Sequence, residues 1–192
     1  YLRFVSDPDW RSLIVRRLDE YEGAIRPKLA GLRRQVIYND ANEHNILVSE
    51  DRRVSGLIDF GDAIENPLIC DAAITCAYTI MGQADPLTAA CAVLYGFHEA
   101  YPLQEDELEV LFPLILMRLC VTVVNAAWQR HVEPENSYLQ ISERPAWDLL
   151  EKLDGIHPRL AHYRFRAACG FPAVPIAPRV RDWLREHQNG FA

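Results

Sequence analysis

The chain has 192 residues, of which 49% are hydrophobic and 24% are charged. These proportions are typical of a globular protein and exclude a peptide, a disulfide miniprotein, a disordered chain and a fibrous repeat. A formal net charge of −7 argues against a nucleic-acid-binding protein, because such proteins need basic patches to neutralise phosphates.

Cysteines and apolar segments bear on location. The five cysteines are odd in number and form no C-x-x-C pair, so we expect buried free thiols in a reducing cytoplasm. The longest apolar stretch, 111–128, contains proline, arginine and asparagine, and no signal-like core lies near the start. We therefore expect neither a membrane span nor a secretion signal. The first residues read as the middle of a longer chain, which predicts a fragment.

Residues with helical periodicity lie before and after a short β-rich region. A first helix is predicted from Asp7-Pro8 to about Leu32, with a bend near Pro27. Three β-rich runs follow at 35–38, 45–48 and 54–59. Further helices are predicted at 68–81, 86–100, 105–130, 144–153, 158–169 and 179–188, with a loop at 131–142 and a proline-rich connector at 171–178. The pattern predicts an α+β fold, mainly helical, with a small β insert.

The β insert carries the residues that suggest chemistry. Asp40 is followed five positions later by Asn45, and Asp59-Phe60-Gly61 begins 19 positions after Asp40. Phosphoryl transfer from ATP needs one carboxylate to orient the attacking hydroxyl and accept its proton, and two oxygen ligands to hold Mg²⁺. Asp40 suits the first role, and Asn45 and Asp59 suit the second. Aspartate and asparagine often only stabilise turns, but order, spacing and β context together favour a kinase-type catalytic loop at 38–45.

Two other polar residues in or near this loop, Asp62 and His44, each have two interpretations. Asp62 is either a third carboxylate of the metal site or a cap for the loop after Gly61. His44 either approaches the phosphates or is a solvated loop residue, which is the more frequent role. The six histidines form no H-x-x-x-H pair, which argues against a zinc site. The sequence also lacks a G-x-S-x-G motif, which argues against a nucleophilic hydrolase.

Motifs spread over residues 30–153 resemble a known family. Asp40 to Asn45, the strand before Asp59-Phe60-Gly61-Asp62, and Cys70-Asp71-Ala72-Ala73 resemble the C-lobe of the aminoglycoside phosphotransferase and choline kinase-like superfamily. Within it, the chain is most similar to the hydroxylysine kinase branch. That likeness rests on Ile58 to Asp62, Arg118-Leu119-Cys120, and the run from Asn136 to Ser142 followed by Ala146-Trp147.

The resemblance implies a protein-kinase-like C-lobe with defined site residues. It makes Asp40 the catalytic aspartate, Asn45 and Asp59 the Mg²⁺ ligands at the nucleotide, and Asp71 a structural acid that braces the loop. Tyr38 departs from the family, which usually has a histidine there to support loop geometry. A larger departure is the absence of G-x-G-x-x-G and of a strand lysine, which predicts that the nucleotide-clamping N-lobe is absent.

The lysines and the tail point to a multidomain parent. The only lysines, Lys28 and Lys152, lie in helical contexts and cannot serve as a phosphate-clamping lysine. The tail around Phe165 to Phe171 and Trp183 resembles the segment that joins such a phosphotransferase to a peptidase-like domain and a class III aminotransferase in bacterial fusions. We therefore expect a kinase-like C-lobe at 1–154 and a helical extension with a proline-rich linker at 155–192. PLP would belong only to a separate aminotransferase domain.

Aromatic residues of the later helices are candidates for an acceptor pocket. Trp128, Trp147 and Tyr138 lie where the family places this pocket, and the acids Glu133 and Asp148 would suit a cationic amino alcohol. At helical spacing, however, such aromatics are more often core residues.

The leading hypothesis is transfer of the ATP γ-phosphoryl group to the hydroxyl of a small amine-bearing acceptor, by a parent chain of which this fragment is one inactive part. The alternative is a non-catalytic pseudokinase or scaffold lobe, which Tyr38 and the absent N-lobe motivate. A third hypothesis is a metal-dependent phosphohydrolase that uses Asp40, Asn45, Asp59 and Asp62. The expected partner is a small molecule, not nucleic acid or membrane, and a homo-oligomer is compatible with the sequence.

Overall fold

The computed structural model describes residues 1–136 and 143–187, and most of these residues are helical. The helices are α1 (Pro8–Glu20), α2 (Arg26–Leu29), α3 (Ile69–Thr79), α4 (Pro86–Ala100), α5 (Glu105–Val132), α6 (Glu143–Asp154), α7 (Pro158–Ala168) and α8 (Ala177–Glu186). The strands are β1 (Arg34–Ile37), β2 (Ile46–Val48), β3 (Val54–Leu57) and β4 (Ile64–Pro67). The expected mainly helical fold with a small β insert is confirmed.

The first helix begins at Pro8, where the sequence predicts, but its irregular turn lies before Pro27 and its helical segment ends at Leu29 rather than at Leu32. The Asp7 carboxylate caps α1 by accepting hydrogen bonds from the backbone N–H groups of Asp9 and Trp10, at 2.9 and 3.1 Å. A π-helical turn at Tyr21–Ile25 joins α1 to α2. Pro27 lies in the first turn of α2, where its missing N–H costs no intrahelical hydrogen bond.

The four strands form two antiparallel ribbons, one nested in sequence inside the other. β1 pairs with β4, and β2 pairs with β3. The ribbons are therefore connected by two loops, residues 38–45 and 58–63. These loops run side by side, since the N–H of Ile58 donates to the main-chain carbonyl oxygen of Asn45 at 3.0 Å. This nesting brings the two predicted functional segments together.

Two details of the β insert differ from the sequence prediction. Strand β4 was not expected, because Ile64-Glu65-Asn66-Pro67 shows no apolar alternation. It forms through main-chain pairing with β1, and its Ile64 remains 52% exposed. The third β-rich run was expected to reach residue 59, but β3 ends at Leu57 because Asp59 adopts a φ of 57°, outside the extended region.

Helix α5 is the centre of the core. It packs against α1, α3, α6 and α7, and its Leu111, Ile115 and Leu119 are fully buried. By length and composition this helix could cross a membrane, since an 18-residue window has a mean hydropathy of 2.1, yet 61% of that window is buried inside the fold. Its apolar surface is thus largely covered by the other helices.

The C-terminal helices differ in how they contact this core. α7 packs on α4 and α5 and buries Phe165 completely. α8, which follows the proline-rich connector, has no buried residue. The predicted division of the chain between residues 154 and 155 stays a prediction.

Charged pairs fix the helices relative to one another. Asp154 on α6 accepts hydrogen bonds from Arg16 and Arg17 on α1. The fully buried Glu107 on α5 forms a bidentate pair with Arg33, at 2.7 and 2.9 Å. Bidentate geometry gives such pairs orientation as well as energy.

The cysteines are free, and they lie among apolar helix contacts. Cys76, Cys120 and Cys169 are buried, and Cys70 and Cys91 are half-buried. Burial raises the pKa of the Cys120 thiol to about 12 and that of Cys169 to about 11. Thiols with such a raised pKa stay protonated at neutral pH and behave as small apolar side chains. The expectation of buried free thiols is confirmed for Cys76, Cys120 and Cys169, and Cys70 and Cys91 are free but only half-buried.

Candidate active site

Asp40 lies at the centre of a polar cluster in the loop between β1 and β2. Its Oδ2 accepts hydrogen bonds from the side-chain amides of Asn42, at 3.0 Å, and Asn45, at 2.8 Å. Its Oδ1 accepts from Nη2 of Arg118 at 2.9 Å. The carboxylate is therefore held in one orientation by three donors. Positioning of this kind is what phosphoryl transfer asks of a protein.

Asp71 braces the residue before Asp40. Asn39 has a φ of 66°, a left-handed conformation that asparagine tolerates, and its backbone N–H donates to Oδ1 of Asp71 at 2.8 Å. Burial raises the pKa of the Asp71 carboxyl, and hydrogen bonds from the backbone of Asn39 and Tyr38 act in the opposite direction. Asp71, at the start of α3, thus ties the loop to the helical core.

Tyr38 connects the two loops. Its hydroxyl donates to the carbonyl oxygen of Ile58, and its ring meets the ring of Phe60 edge-on at 5.2 Å between centroids. Partial loss of solvent raises the pKa of the Tyr38 phenol, and the nearby carboxylates of Asp40 and Asp59 add to this. The tyrosine therefore joins the segment before Asp40 to Asp59-Phe60-Gly61.

Asn45 and Asp59 provide oxygen atoms that fit a magnesium ion. The buried Asn45 uses its NH₂ group to hold Asp40, so its side-chain carbonyl oxygen is the atom left for a cation. Asp59 is exposed, and its Oδ1 accepts the N–H of Gly61 at 3.3 Å. No group of three His, Cys, Asp or Glu residues suited to a metal occurs in residues 1–136 and 143–187. Mg²⁺ often takes few protein ligands and completes its shell with phosphate oxygens and water.

Asp62 and His44 lie at the margins of the cluster. Asp62 is exposed at the end of the second loop. The backbone N–H of His44 donates to Oδ1 of Asn42 at 2.8 Å, and its ring lies 3.8 Å from a carboxylate oxygen of Glu43. These contacts leave both interpretations of each residue open.

Arg118, like Asn42, is a member of the cluster whose role the sequence did not predict. It projects from the middle of α5, where it is the only charged residue between 110 and 129. A long charged side chain in an otherwise apolar core helix requires a buried partner, and this was the available signal. The partner, Asp40, is 78 positions away in the chain, so only the packing of the β insert on α5 reveals it.

The lysines and aromatic candidates lie in other environments. Lys28 pairs with Glu109 at 2.6 Å, and Lys152 donates to the carbonyl oxygens of Gln83 and Ala84. Trp147 is 2% exposed and stacks on Trp10 with 4.1 Å between ring centroids, which makes it a core residue. Trp128 stacks on Tyr1 at 4.7 Å. Glu133 and Asp148 are exposed, and Tyr138 lies outside the described residues.

Two clefts share Tyr78 of α3 in their lining; the first is lined by the Asp40 loop and the second by Arg118, which pairs with Asp40. The larger, of about 550 Å³, lies between Asn42 and Glu43 of the loop and Met81, Gly82 and Pro145. The smaller, of about 220 Å³, is lined by polar side chains of α5 and by Glu143 at the start of α6; they include Arg118, Thr122, Asn125 and Gln129. Both clefts offer room for a small molecule beside the cluster.

Known proteins resemble this chain along most of its length. The hydroxylysine kinase of Xenopus laevis is 32% identical over 163 residues, which cover 80% of this chain and 44% of that protein. The hydroxylysine kinase of Danio rerio is 29% identical over 158 residues, with 80% and 44% covered. That of Mus musculus is 28% identical over 162 residues, with 80% and 43% covered. The chain spans less than half the length of these relatives.

A family model matches the part of the chain that contains both loops. The model of the phosphotransferase enzyme family, APH, covers residues 2–104, which is more than half of the chain. The matched segment includes Asp40, Asn45, Asp59 and Asp71, together with the two nested ribbons that bring them together. This chain therefore belongs to the phosphotransferase enzyme family.

Proposed function

We propose that the chain supplies the catalytic loop of an ATP-dependent kinase that phosphorylates a hydroxyl group of a small amine-bearing molecule. The observation that supports this most strongly is the orientation of Asp40 by Asn42, Asn45 and Arg118. A surface aspartate with a capping role would not need three side-chain donors from two separate parts of the fold.

Asp40 acts as the residue that orients the acceptor and takes its proton. The acceptor hydroxyl donates a hydrogen bond to the carboxylate, and its oxygen forms the new bond to the γ-phosphorus. The bond between that phosphorus and the oxygen bridging to the β-phosphate breaks, and ADP leaves with the electron pair. The hydroxyl proton ends on Asp40. In such reactions the protein contributes mainly positioning and charge stabilisation.

Asn45 and Asp59 are the proposed ligands for Mg²⁺. When bound, the cation would offset the negative charge that develops on the phosphate oxygens. Asn45 would bind through its side-chain carbonyl oxygen while its NH₂ group continues to hold Asp40. One side chain would then fix the distance between the base and the metal. Asp62 is a candidate third carboxylate.

The ATP-clamping groups are proposed to lie outside this chain, as in a kinase C-lobe. In the described part of the chain Lys28 and Lys152 contact Glu109 and main-chain carbonyls, and neither lies in the Asp40 cluster. This arrangement supports the proposal that the fragment alone does not complete a turnover.

The relatives and the clefts support the proposed acceptor class. The similar proteins are named hydroxylysine kinases, which supports an amino alcohol or a hydroxylysine-like amino acid as acceptor. The clefts beside Asp40 have the volume of a small molecule rather than of a polymer.

The test uses the complete encoded protein, with Mg²⁺, ATP and 5-hydroxylysine or ethanolamine as acceptors. Lysine is the matched control acceptor, since it lacks the hydroxyl. Wild type should transfer phosphate to a hydroxylated acceptor and not to lysine. Asp40→Asn should lower kcat by about 10²–10⁴, the range for loss of a positioned base. Near-normal turnover of this variant would contradict the proposal.

A non-catalytic scaffold lobe is the second candidate. It is favoured by Tyr38, which replaces the usual histidine and instead bonds the Ile58 carbonyl. Calorimetry with Mg²⁺ and ATP separates the candidates, since a scaffold would bind no nucleotide in the complete protein. Phosphate release in the absence of any acceptor would instead indicate the metal-dependent phosphohydrolase.

Fusion to an aminotransferase domain that binds PLP stays a prediction from the tail around Phe165 to Phe171. The reading frame downstream of this chain tests it directly. No step proposed for Asp40, Asn45 or Asp59 depends on it. A cytoplasmic location likewise stays a prediction.

A further inference from the structure

Arg118 has an unusual bonding pattern for a largely buried arginine. A single nitrogen, Nη2, donates both to Oδ1 of Asp40, at 2.9 Å, and to the hydroxyl of Tyr78, at 2.8 Å. The guanidinium carbon lies 5.1 Å from the centre of the Tyr78 ring. Nε is buried and has no hydrogen-bond partner among the residues that the structure describes. The guanidinium belongs to α5 and is held by Tyr78 of α3. It hydrogen-bonds only one oxygen of the Asp40 carboxylate.

Arg33 shows what a structural ion pair in this fold looks like. It also contacts a buried carboxylate of α5, Glu107, and it also stacks on a tyrosine, with 4.9 Å to the centre of the Tyr101 ring. Its contact with Glu107, however, is bidentate, at 2.7 and 2.9 Å, and occupies both carboxylate oxygens. Bidentate pairing is the stronger arrangement for stability. Arg118 lacks it, which argues against a purely structural role.

Oδ1 is the carboxylate oxygen of Asp40 that can accept one more hydrogen bond. An ionised carboxylate has about four lone-pair positions, two on each oxygen. The amides of Asn42 and Asn45 fill both positions on Oδ2. Arg118 fills one position on Oδ1, which leaves one on the same atom.

Resting on the function proposed above, we propose that Arg118 is a positioning residue that directs the acceptor hydroxyl to Oδ1 of Asp40. The arginine holds the carboxylate so that its open lone pair faces the acceptor, while Asn42 and Asn45 block Oδ2. The hydroxyl that donates to Oδ1 lies beside the guanidinium. The polar cleft of about 220 Å³, lined by Arg118, Thr122 and Asn125, is then next to the reacting oxygen.

The inference is tested in the complete encoded protein with Arg118→Ala, Arg118→Lys and Arg33→Ala. Arg33→Ala is the matched control, because it also removes an arginine that pairs with a carboxylate and contacts a tyrosine ring, but at Glu107 of α5 and not at Asp40. Arg118→Ala should lower kcat by about 10²-fold, the cost of misplacing a catalytic group by about an ångström, with the KM for ATP almost unchanged. Arg118→Lys should recover part of this loss.

Chemical rescue separates positioning from folding. Guanidinium chloride at tens of millimolar should raise the kcat of Arg118→Ala by refilling the lost cation site, and should raise neither wild type nor Arg33→Ala. If Arg118→Ala does not fold, Arg118→Lys carries the test, with a reduced kcat expected at an unchanged melting temperature.

Two results would overturn the role of Arg118. One is a wild-type kcat in folded Arg118→Ala or, where that variant does not fold, in Arg118→Lys. The other is a kcat loss without guanidinium rescue that Arg33→Ala reproduces. Asp40→Asn distinguishes this failure from failure of the kinase proposal. If Asp40→Asn is inactive and Arg118→Ala is normal, only the positioning role is wrong; if Asp40→Asn is active, the proposed function itself is wrong.

Discussion

The side-chain amide of Asn45 donates a hydrogen bond to Oδ2 of Asp40 at 2.8 Å, so this bond joins the candidate metal ligand to the candidate base. The same NH₂ group also reaches the Asp40 carbonyl oxygen at 3.1 Å. Asn45 is buried, and its main-chain carbonyl oxygen accepts the N–H of Ile58, next to Asp59. A change at Asn45 therefore affects the base, the metal and the second loop together.

Asn45→Asp separates the metal role of this side chain from its role in holding Asp40. The substituted residue keeps an oxygen for Mg²⁺ but replaces the donor to Asp40 with a second carboxylate, and like charges this close repel. We expect kcat to fall by about 10²-fold or more because the base is misplaced. Titration of the rate with Mg²⁺ should show a concentration dependence close to that of wild type.

Asp59→Asn tests the other candidate ligand for Mg²⁺. It removes charge from the candidate metal ligand and leaves the Asn45–Asp40 bond in place. We expect a clear increase in the Mg²⁺ concentration needed for half-maximal rate. An unchanged Mg²⁺ dependence in Asp59→Asn would contradict the metal assignment, and Asp62→Asn, measured in parallel, shows whether the neighbouring carboxylate contributes.

Tyr38→Phe tests the connection between the loops. The change removes the hydroxyl that bonds the Ile58 carbonyl and keeps the ring that packs on Phe60. A typical net hydrogen bond contributes about 0.5–1.5 kcal/mol to stability, so we expect Tm to fall by roughly 1–6 °C. Because the same bond aligns the two loops, kcat should also fall, by roughly a few-fold. Steady-state kinetics and thermal unfolding measure the two effects. An unchanged kcat would show that the loops are aligned without this bond.

Asp71→Asn should change how stability depends on pH. Burial raises the pKa of Asp71 above 3.8, so between that value and the folded pKa the native state binds more protons than the unfolded state. The free energy of unfolding contributed by this group therefore falls as pH rises through that window. The substituted amide does not ionise but still accepts the Asn39 N–H. Denaturant titrations at several pH values should show the variant matching wild type at low pH and exceeding it above the window.

Asp71→Ala is the control for that experiment. It leaves the Asn39 N–H without its acceptor, which costs about 1–3 kcal/mol relative to Asp71→Asn at every pH. Parallel curves for Asp71→Asn and wild type would contradict the assignment of the raised pKa.

Asp154→Asn should show the opposite dependence. Burial acts to raise the pKa of Asp154, but hydrogen bonds from Arg17 and Arg16 outweigh it and lower the pKa below 3.8. The stabilisation is present above 3.8 and is lost as pH falls through the lower folded value. The variant should lose about 1–3 kcal/mol at pH 7, because the buried Arg17 loses one of its two charged partners and keeps only Glu20. The difference from wild type should shrink in acid; a constant difference would contradict the linkage.

Local sequence signals predict most of the helices and the chemistry of the two loops. Asp7 and Asp85 before prolines mark helix starts, and apolar periodicity marks α3 to α7, because caps and periodicity act over a few residues. The spacing of Asp40, Asn45 and Asp59 likewise predicts that these residues act together. The sequence does not predict strand β4, because its pairing with β1 uses backbone groups that every sequence has.

Some of the residues that surround Asp40 come from distant parts of the chain and depend on how the helices pack. Arg118 reaches it from α5, 78 positions along the chain, and Tyr78 of α3 fixes the guanidinium. The tertiary fold also made Trp147 a core residue, because α6 packs it against Trp10. A sequence pattern records what a residue needs, such as a partner for a buried charge. Which residue supplies that partner depends on how distant helices pack, and local spacing carries no information about that.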